Sequence, residues 1–327
     1  MLLINHSPVF NEMLSSTRKT VSQIKSLRIQ GAEAIADAAL NALANEAKKH
    51  PASSPAKLLS HLHSVSIELS KARPTEPALR NVLRFVLTRA KAFKTNSALE
   101  LGSFVSLEVQ HYEKKAIENR KLIAEHGSRL VPRRGAVLIH CHSSTVMQVL
   151  KRAHDQKKKF RVYCCESRPR YQGRVSAKEL SDYGLDVTLV VDNAVSSVFQ
   201  ENKELSAVFV GADAITARGE LVNKVGTAGI ALQAREYGKK FYACTGLHKF
   251  DALTLSGAKE PIEYRSVEEV LPKAEARKMP KVKVLNPAFD LTPARFITAF
   301  VTEAGVVSPG ALLPAVWREY GLDLKRG

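Results

Sequence analysis

The sequence predicts an α/β protein in which a helical N-terminal domain, residues 1–127, precedes a Rossmann-like domain, residues 128–327, with a doubly wound, mostly parallel sheet. Two observations support this prediction. Apolar residues recur at helical spacing before residue 128, whereas short apolar runs alternate with helical stretches after it. Such alternation is typical of parallel strands that are joined by helices.

The N-terminal domain is expected to consist of helices. An approximate 3.6-residue period runs through Ile24, Leu27, Ile35, Ala39 and Leu43. The pattern resumes between Leu58 and Leu69, after a break at Pro51–Pro55, and it stops at Arg73-Pro74-Thr75. Two more helices are expected at about 77–93 and 95–126.

The C-terminal domain is expected to contain five buried strands, at about 136–139, 160–163, 187–191, 207–210 and 240–243. Helices are predicted between them, at about 145–156, 176–183, 194–202 and 227–237. A further apolar helix is predicted at 294–303, where it could contribute to a subunit interface. No Gly-x-Gly-x-x-Gly turn follows the first strand, so a dinucleotide site is not indicated.

Composition indicates an ordinary globular protein, since 45% of the residues are hydrophobic and 25% are charged. No apolar run approaches the roughly 18 residues of a membrane span. The opening residues Met1–His6 lack the basic start and apolar stretch of a signal peptide. A cytoplasmic location without a membrane partner is therefore expected.

Charge and cysteine content leave several partner classes open. The net charge of +17 is spread along the chain, and its one compact basic run is Lys157–Lys159. Steering of anionic substrates, proximity to RNA or a basic proteome would each explain this charge. Cysteines occur at 141, 164, 165 and 244, without metal-ligand spacing, so reduced thiols and no metal or cofactor are expected.

The most informative segment is Gly211–Ile215, which is followed by Val222–Thr227. The apolar run before Gly211 predicts a strand that delivers Asp213 to its C-terminal edge, where parallel sheets bind ligands. The amide of Asn223 and the ammonium of Lys224 suit an anionic small molecule. A structural ion pair between an aspartate and a lysine would fit the same spacing.

Chemically active groups also follow the first strand, in His140–Thr145. A thiol at Cys141 would lie near the N-terminal amides of a helix, which lower a thiol pKa. Ser143 and Ser144 could hold a phosphate or cap this helix. A packed cysteine without catalytic role is the alternative, and His140 is expected to point away from the sulfur.

Three arginines follow the second strand, at Arg168, Arg170 and Arg174. Guanidinium groups at this edge suit phosphate recognition, although they could equally pair with acidic side chains or a neighbouring subunit. Arg73 of the helical domain offers a further guanidinium.

Together these segments resemble one family, as do Ile24–Leu27, Glu166–Pro169 and Asn286–Pro293. The family comprises the regulatory subunits of eukaryotic translation initiation factor 2B, methylthioribose-1-phosphate isomerase and archaeal ribose-1,5-bisphosphate isomerase. The cysteine within His140–Ser144 is most similar to the isomerase branch.

The resemblance implies an aldose–ketose isomerase, most simply one that forms ribulose 1,5-bisphosphate from ribose 1,5-bisphosphate. Cys141 would be the base and Asp213 the acid, by proton transfer or by a hydride shift, and burial would have to raise the aspartate pKa. The implied substrate-binding residues are Gly31, Ala32, Arg73, Ser143, Ser144, Asn223, Lys224 and Lys249. The family also implies a homodimer or hexamer, a role in nucleotide salvage and activation by AMP.

One segment departs from the ribose-1,5-bisphosphate isomerase pattern. Gln30-Gly31-Ala32-Glu33 stands where those enzymes carry Arg-Gly-Ala-Gly. Replacing a cation and adding a carboxylate would weaken the binding of a bisphosphate if both groups face the ligand. The alternative is a noncatalytic subunit that contacts initiation factor 2, or a nucleotide or sugar-phosphate sensor.

Overall fold

The computed structural model describes residues 12–320. The chain separates into two compact units, Met1–Glu118 and Asn119–Gly327. This boundary and the predicted one after residue 127 both fall inside one helix, Ala98–Leu130. The residues Met1–His6, on which the expectation about a signal peptide depends, lie outside the described range.

The N-terminal unit is helical, as predicted. Its helices are Ser15–Lys25 (α1), Ala32–Lys49 (α2), Pro55–Ala72 (α3), Pro77–Ala92 (α4) and the first part of Ala98–Leu130 (α5). The side chain of Ser54 caps α3 by accepting a hydrogen bond from the Lys57 amide at 3.3 Å, and a proline opens that helix. The apolar faces meet in one core that includes Ile24, Ile35, Leu40, Leu43, Leu62, Val65 and Leu69.

The C-terminal unit is built on two sheets. Its strands are Arg134–His140 (β1), Lys159–Cys165 (β2), Asp186–Val190 (β3), Leu205–Val210 (β4), Ala214–Ile215 (β5), Leu221–Lys224 (β6), Lys240–Cys244 (β7), Phe289–Thr292 (β8), Ala299–Thr302 (β9) and Gly305–Val307 (β10). The large sheet has the order β10-β9-β7-β4-β1-β2-β3, and every neighbouring pair in it is parallel except β9 and β10. The mostly parallel sheet is therefore confirmed.

Helices cover both faces of the large sheet, which is the doubly wound arrangement. They are Ser144–Asp155 (α6), Gln172–Asp182 (α7), Val195–Glu201 (α8), Thr227–Glu236 (α9) and Leu312–Tyr320 (α11). The short helix Lys273–Ala276 (α10) has no buried residue and does not belong to these layers. Buried residues of α8, α9 and α11 pack with Cys165, whereas those of α6 and α7 pack with Cys164. The two cysteines thus face opposite sides, as the alternation of a strand requires.

Two features of the C-terminal unit differ from the sequence prediction. Strands β5, β6 and β8 form a small antiparallel sheet that was not predicted. The helix expected at 294–303 is wrong, because a short 3-10 turn at Ala294–Phe296 leads into β9. A short apolar run does not distinguish a strand from a buried helix, and here pairing with β7 decides.

Within residues 12–320, no helix combines the length and the apolar character that a bilayer crossing demands.

Candidate active site

The candidate site lies where the strand order of the large sheet reverses. Strand β1 pairs with β2 on one side and with β4 on the other. In doubly wound sheets, ligands bind in the crevice at the carboxyl ends of the strands flanking such a point. Cys141 follows β1 directly, and Gly211–Asp213 follows β4. The topology therefore brings the two predicted catalytic residues to the same edge of the sheet.

Cys141 is held in an unusual backbone conformation. Its φ of +66° lies in the left-handed region, which costs a residue other than glycine about 1–3 kcal/mol. The residue is partly exposed, whereas Cys164, Cys165 and Cys244 are fully buried. Cys141 is therefore the most accessible of the four thiols.

The thiol of Cys141 does not have the lowered pKa that its place before α6 predicted. Burial raises the pKa from 9.0 to about 11, and the negative charge of Asp213 adds to the increase. The charge of Lys224 and a backbone hydrogen bond from His142 act in the opposite direction without overcoming it. Desolvation outweighs the helix terminus, so the free protein holds a neutral thiol at neutral pH.

The chain after β4 passes very close to the chain after β1. A Cβ atom on Gly211 would lie 2.7 Å from Oγ and 2.8 Å from Cβ of Ser143, so only glycine fits. Ser143 caps α6 by accepting a hydrogen bond from the amide of Val146 at 3.4 Å. The contact places Ser143 beside the segment that carries Asp213.

Asp213 begins the β5–β6 hairpin and is half-buried. Its amide donates to the carbonyl of Val222 at 2.9 Å, which closes the hairpin. The same hairpin carries Asn223 and Lys224 at the end of β6. Asp213 and Lys224 both act electrostatically on the thiol of Cys141, so the three groups share one site.

Two buried lysines flank this hairpin. Lys224 is 7% exposed and its Nζ lies 4.9 Å from the centre of the Phe289 ring. Its charge acts on the thiol of Cys141 and on the ring of His140, which places this ammonium in the site and suits an anionic ligand. Lys249 is also buried, and its Nζ donates to the carbonyl of Ala212 at 2.8 Å, next to Asp213.

The loop between β6 and α9 is organised by Asp290, which was not predicted as a site residue. Its carboxylate accepts hydrogen bonds from the amides of Gly226 at 2.7 Å and Ala228 at 3.1 Å. These amides open α9, so that helix terminus is already capped by an acidic group. Burial raises the pKa of Asp290 to about 6. The amide of Asn223 donates to Thr227 at 3.0 Å in the same loop.

A polar network lies beside Cys141. His140 is buried, and its Nε2 donates to the carbonyl of Val225 at 2.9 Å, next to Lys224. Nδ1 of this ring lies 3.3 Å from Oγ of Ser167. The carboxylate of Asp192 accepts hydrogen bonds from the amides of Ser167 at 2.8 Å and Arg168 at 2.7 Å.

The same network contains three atoms of metal-ligand type. Those of His140, Cys165 and Asp192 lie within 4.8 Å of one another. Both Asp192 oxygens accept amide protons, one ring nitrogen of His140 is engaged, and burial raises the pKa of the Cys165 thiol. These groups fit a hydrogen-bond network better than a metal ion.

The three arginines after β2 are partly engaged with acids and a tyrosine. Arg174 pairs with Glu166 at 2.9 Å, and Arg170 lies 3.6 Å from Glu269. The guanidinium groups of Arg168 and Arg174 lie 5.1 and 3.9 Å from the centre of the Tyr171 ring. Two of the three arginines thus lie beside acidic side chains, which was the alternative to phosphate recognition.

Ser144 is the first residue of α6, and the other remaining predicted residues belong to the N-terminal unit. Gly31 precedes α2 with a φ of +83°, and Ala32 begins that helix as a buried residue. Arg73 is buried, with Nη2 3.7 Å from Oε1 of Glu76. The side-chain amide of Gln30 donates to the carbonyl of Leu27 at 2.6 Å, so this replacement for an arginine is engaged locally.

Comparisons with known proteins show the family to which the chain belongs. The model of the initiation factor 2 subunit family matches residues 28–309. Ribose 1,5-bisphosphate isomerase of Pyrococcus furiosus is 38% identical over 309 residues, which are 93% of this chain and 94% of that protein. The enzyme of the same name from Methanocaldococcus jannaschii is 39% identical over 292 residues, 89% of this chain and 91% of the relative. The crystal structure of 5-methylthioribose 1-phosphate isomerase from Pyrococcus horikoshii OT3 matches with a TM-score of 0.77 and 30% identity, covering 93% of this chain and 88% of that one.

Proposed function

Since the chain belongs to the initiation factor 2 subunit family, we propose that it is a sugar-phosphate isomerase that converts ribose 1,5-bisphosphate into ribulose 1,5-bisphosphate. One observation carries the proposal. Cys141 and Asp213 follow adjacent parallel strands, and the charge of Lys224 acts on the same thiol. A thiol, a carboxyl group and a cation are the groups that an enolisation of an anionic sugar requires.

The reaction needs four proton transfers and one ring opening. The phosphate ester on C1 prevents the ring from opening as it does in a free sugar. Cys141, as thiolate, removes the proton from C2, while Asp213, as acid, protonates the ring oxygen as its bond to C1 breaks. The resulting enol carries the phosphate on C1 and a hydroxyl on C2. Asp213 then takes the hydroxyl proton and Cys141 returns its proton to C1, which gives the ketose.

The raised pKa of Cys141 is compatible with this role because the two acids are coupled. An anionic Asp213 opposes ionisation of the thiol, whereas Lys224 favours it. Protonation of Asp213 removes the opposing charge, so the state with a thiolate and a carboxylic acid becomes more accessible. That is the state in which both residues can begin the reaction.

The substrate is proposed to be held by Gly31, Ala32, Arg73, Ser143, Ser144, Asn223, Lys224 and Lys249. We further propose that the protein acts as a homo-oligomer, a dimer or a hexamer, in nucleotide salvage, and that AMP activates it. Analytical ultracentrifugation tests the assembly, and the isomerase assay with and without AMP tests the activation.

The decisive experiment is conversion of α-ribose 1,5-bisphosphate by the wild type and by Cys141→Ala and Asp213→Asn. We expect turnover in the wild type and a loss of at least about a hundredfold in kcat for each variant, because each removes one proton carrier. A run in deuterium oxide tests the route: deuterium at C1 establishes proton transfer with exchange at the thiol, because a hydride shift introduces none. Absence of turnover in folded wild-type protein would contradict the proposal and favour a noncatalytic subunit, which a pull-down with initiation factor 2 would then test.

A further inference from the structure

The peptide of Cys141 is clamped by two serines that lie far from it in sequence. Its amide donates to Oγ of Ser167 at 2.7 Å, and its carbonyl accepts from Oγ of Ser176 at 3.2 Å. Both serines are fully buried. Hydrogen bonds on both sides of a residue with a φ of +66° hold that residue in a conformation it would otherwise leave.

Ser167 is itself fixed from several directions. Its φ is +62°, and its amide donates to Oδ1 of Asp192 at 2.8 Å. Because a carbonyl can only accept, Nε2 of His140 carries the proton that binds Val225, and burial lowers the pKa of this ring so that it stays neutral. Nδ1 of His140 is then an acceptor that faces the Ser167 hydroxyl.

Ser176 belongs to α7, so its position is set by a helix rather than by a loop. Its hydroxyl donates to the Cys141 carbonyl and lies 3.1 Å from Nδ1 of His142. The peptide of Cys141 is therefore tied both to the loop after β2 and to the helix that follows that loop. These ties come from outside the segment that carries the thiol.

We propose that Ser167 and Ser176 are positioning residues that keep the Cys141 sulfur in its enclosed place beside Lys224. The catalytic meaning of this inference rests on the proposed isomerase function, but the placement of the sulfur does not. Without either hydroxyl, the backbone at Cys141 relaxes out of the left-handed region and the side chain swings away. The sulfur then loses its enclosure and its alignment with Asp213.

The test uses four variants that separate the hydroxyl from other effects. Ser167→Gly and Ser167→Ala both remove the hydroxyl, but only glycine tolerates the positive φ without strain. Ser176→Ala removes the second hydroxyl within a helix, where alanine is favourable. Ser128→Ala is the matched control, because Ser128 is also fully buried and hydrogen-bonded yet lies on α5 just before β1, at the opposite edge of the sheet.

Two readouts are made on proteins shown by circular dichroism to be folded. The first is the kinetic split: kcat should fall about tenfold to a hundredfold in Ser167→Gly and Ser176→Ala, with KM within about threefold, since misplacement acts on the reacting group. The second is the pH profile of Cys141 alkylation by iodoacetamide. Its midpoint should move towards that of an ordinary thiol by at least about half a pH unit, because the sulfur leaves its buried place.

Each outcome bears on the proposal. Unchanged kcat and an unchanged alkylation profile in Ser167→Gly and Ser176→Ala would overturn it. Loss in Ser167→Ala together with wild-type behaviour in Ser167→Gly would overturn it for Ser167, because strain rather than the hydroxyl would be responsible. A profile that also shifts in Ser128→Ala would show a general loosening and overturn it as well. If the wild type is not an isomerase, the alkylation profiles still show whether the two serines hold the Cys141 sulfur in its enclosed place.

Discussion

Cys141 should ionise about two pH units later than an ordinary cysteine, and this can be measured without any substrate. Its pKa rises from 9.0 to about 11 because burial disfavours the thiolate. At pH 9 about 1% of it is thiolate, against about half of an unperturbed thiol, a fiftyfold deficit. A more basic thiolate is also more nucleophilic, which recovers roughly eightfold. Alkylation at pH 9 should therefore be only about sixfold slower than for an ordinary thiol, and the shape of the pH profile is more informative than the rate.

The assay follows labelling of the native protein by iodoacetamide with mass spectrometry between pH 7 and 10. Over this range the logarithm of the rate should rise with a slope of one, without a plateau. Cys164, Cys165 and Cys244 are fully buried and should remain unlabelled, so Cys141→Ala should abolish the native signal. The denatured chain is the matched control, because its thiols should reach half-maximal reactivity near their ordinary pKa. A plateau below about pH 9.5 in the native protein would refute the reasoning that desolvation dominates over Lys224 and the helix terminus.

Two further changes probe the surroundings of the site. Gly211→Ala should lower the free energy of unfolding by about 1–3 kcal/mol and reduce kcat, because its Cβ would lie 2.7 Å from the Ser143 hydroxyl. The control Gly229→Ala has open space around it in α9 and should raise the free energy of unfolding by about 0.5–1 kcal/mol. Urea unfolding of both variants measures the contrast, and equal effects would count against the close approach. Asp290→Asn should stabilise the protein at pH 7 by up to about 3 kcal/mol, with little gain below pH 4. The pKa of Asp290 in the folded state, about 6, lies above the ordinary 3.8, so its contribution to the free energy of unfolding is fully present below pH 4 and is lost as the pH rises through 6. Urea unfolding of wild type and variant at pH 4 and 7 checks the sign. A variant that is less stable than the wild type at pH 7 would contradict it.

The inner strands of the central sheet, such as β1 and β4, were predictable because they are buried on both faces. Runs such as Ala136–Ile139 and Ala207–Val210 are short, apolar and bounded by polar residues, which is the typical sequence pattern of buried parallel strands. The same reading failed at β9, where a run of similar character was assigned to a helix. Whether this run forms a strand or a helix depends on its pairing with β7, more than fifty residues earlier in the sequence. A local sequence pattern does not reveal such a distant pairing.

The site was predictable where it lies next to strand ends, and not where it depends on distant partners. Cys141 and Asp213 follow β1 and β4, so strand order brings them to the same edge of the large sheet, whereas Lys224 ends β6 of the small sheet. Ser167 and Asp290 act through hydrogen bonds to residues 26 and 64 positions away, which no local spacing reveals. The predicted lowering of the Cys141 pKa was wrong for the same reason. The helix terminus next to this residue is visible in the sequence, whereas its enclosure by distant residues is not.

The order of the strands also bears on how the protein is made. Cys141 stands at the end of β1, but its neighbours along the edge of the sheet come from β4, and the cap of the adjoining loop comes from Asp290 on β8. A growing chain therefore carries this thiol through the synthesis of about 150 further residues before its surroundings can close. Contacts so distant in sequence form late and slowly. During that interval the sulfur is an ordinary, oxidisable thiol, so the nascent chain is more sensitive to oxidation at this position than the finished fold, in which burial disfavours the thiolate.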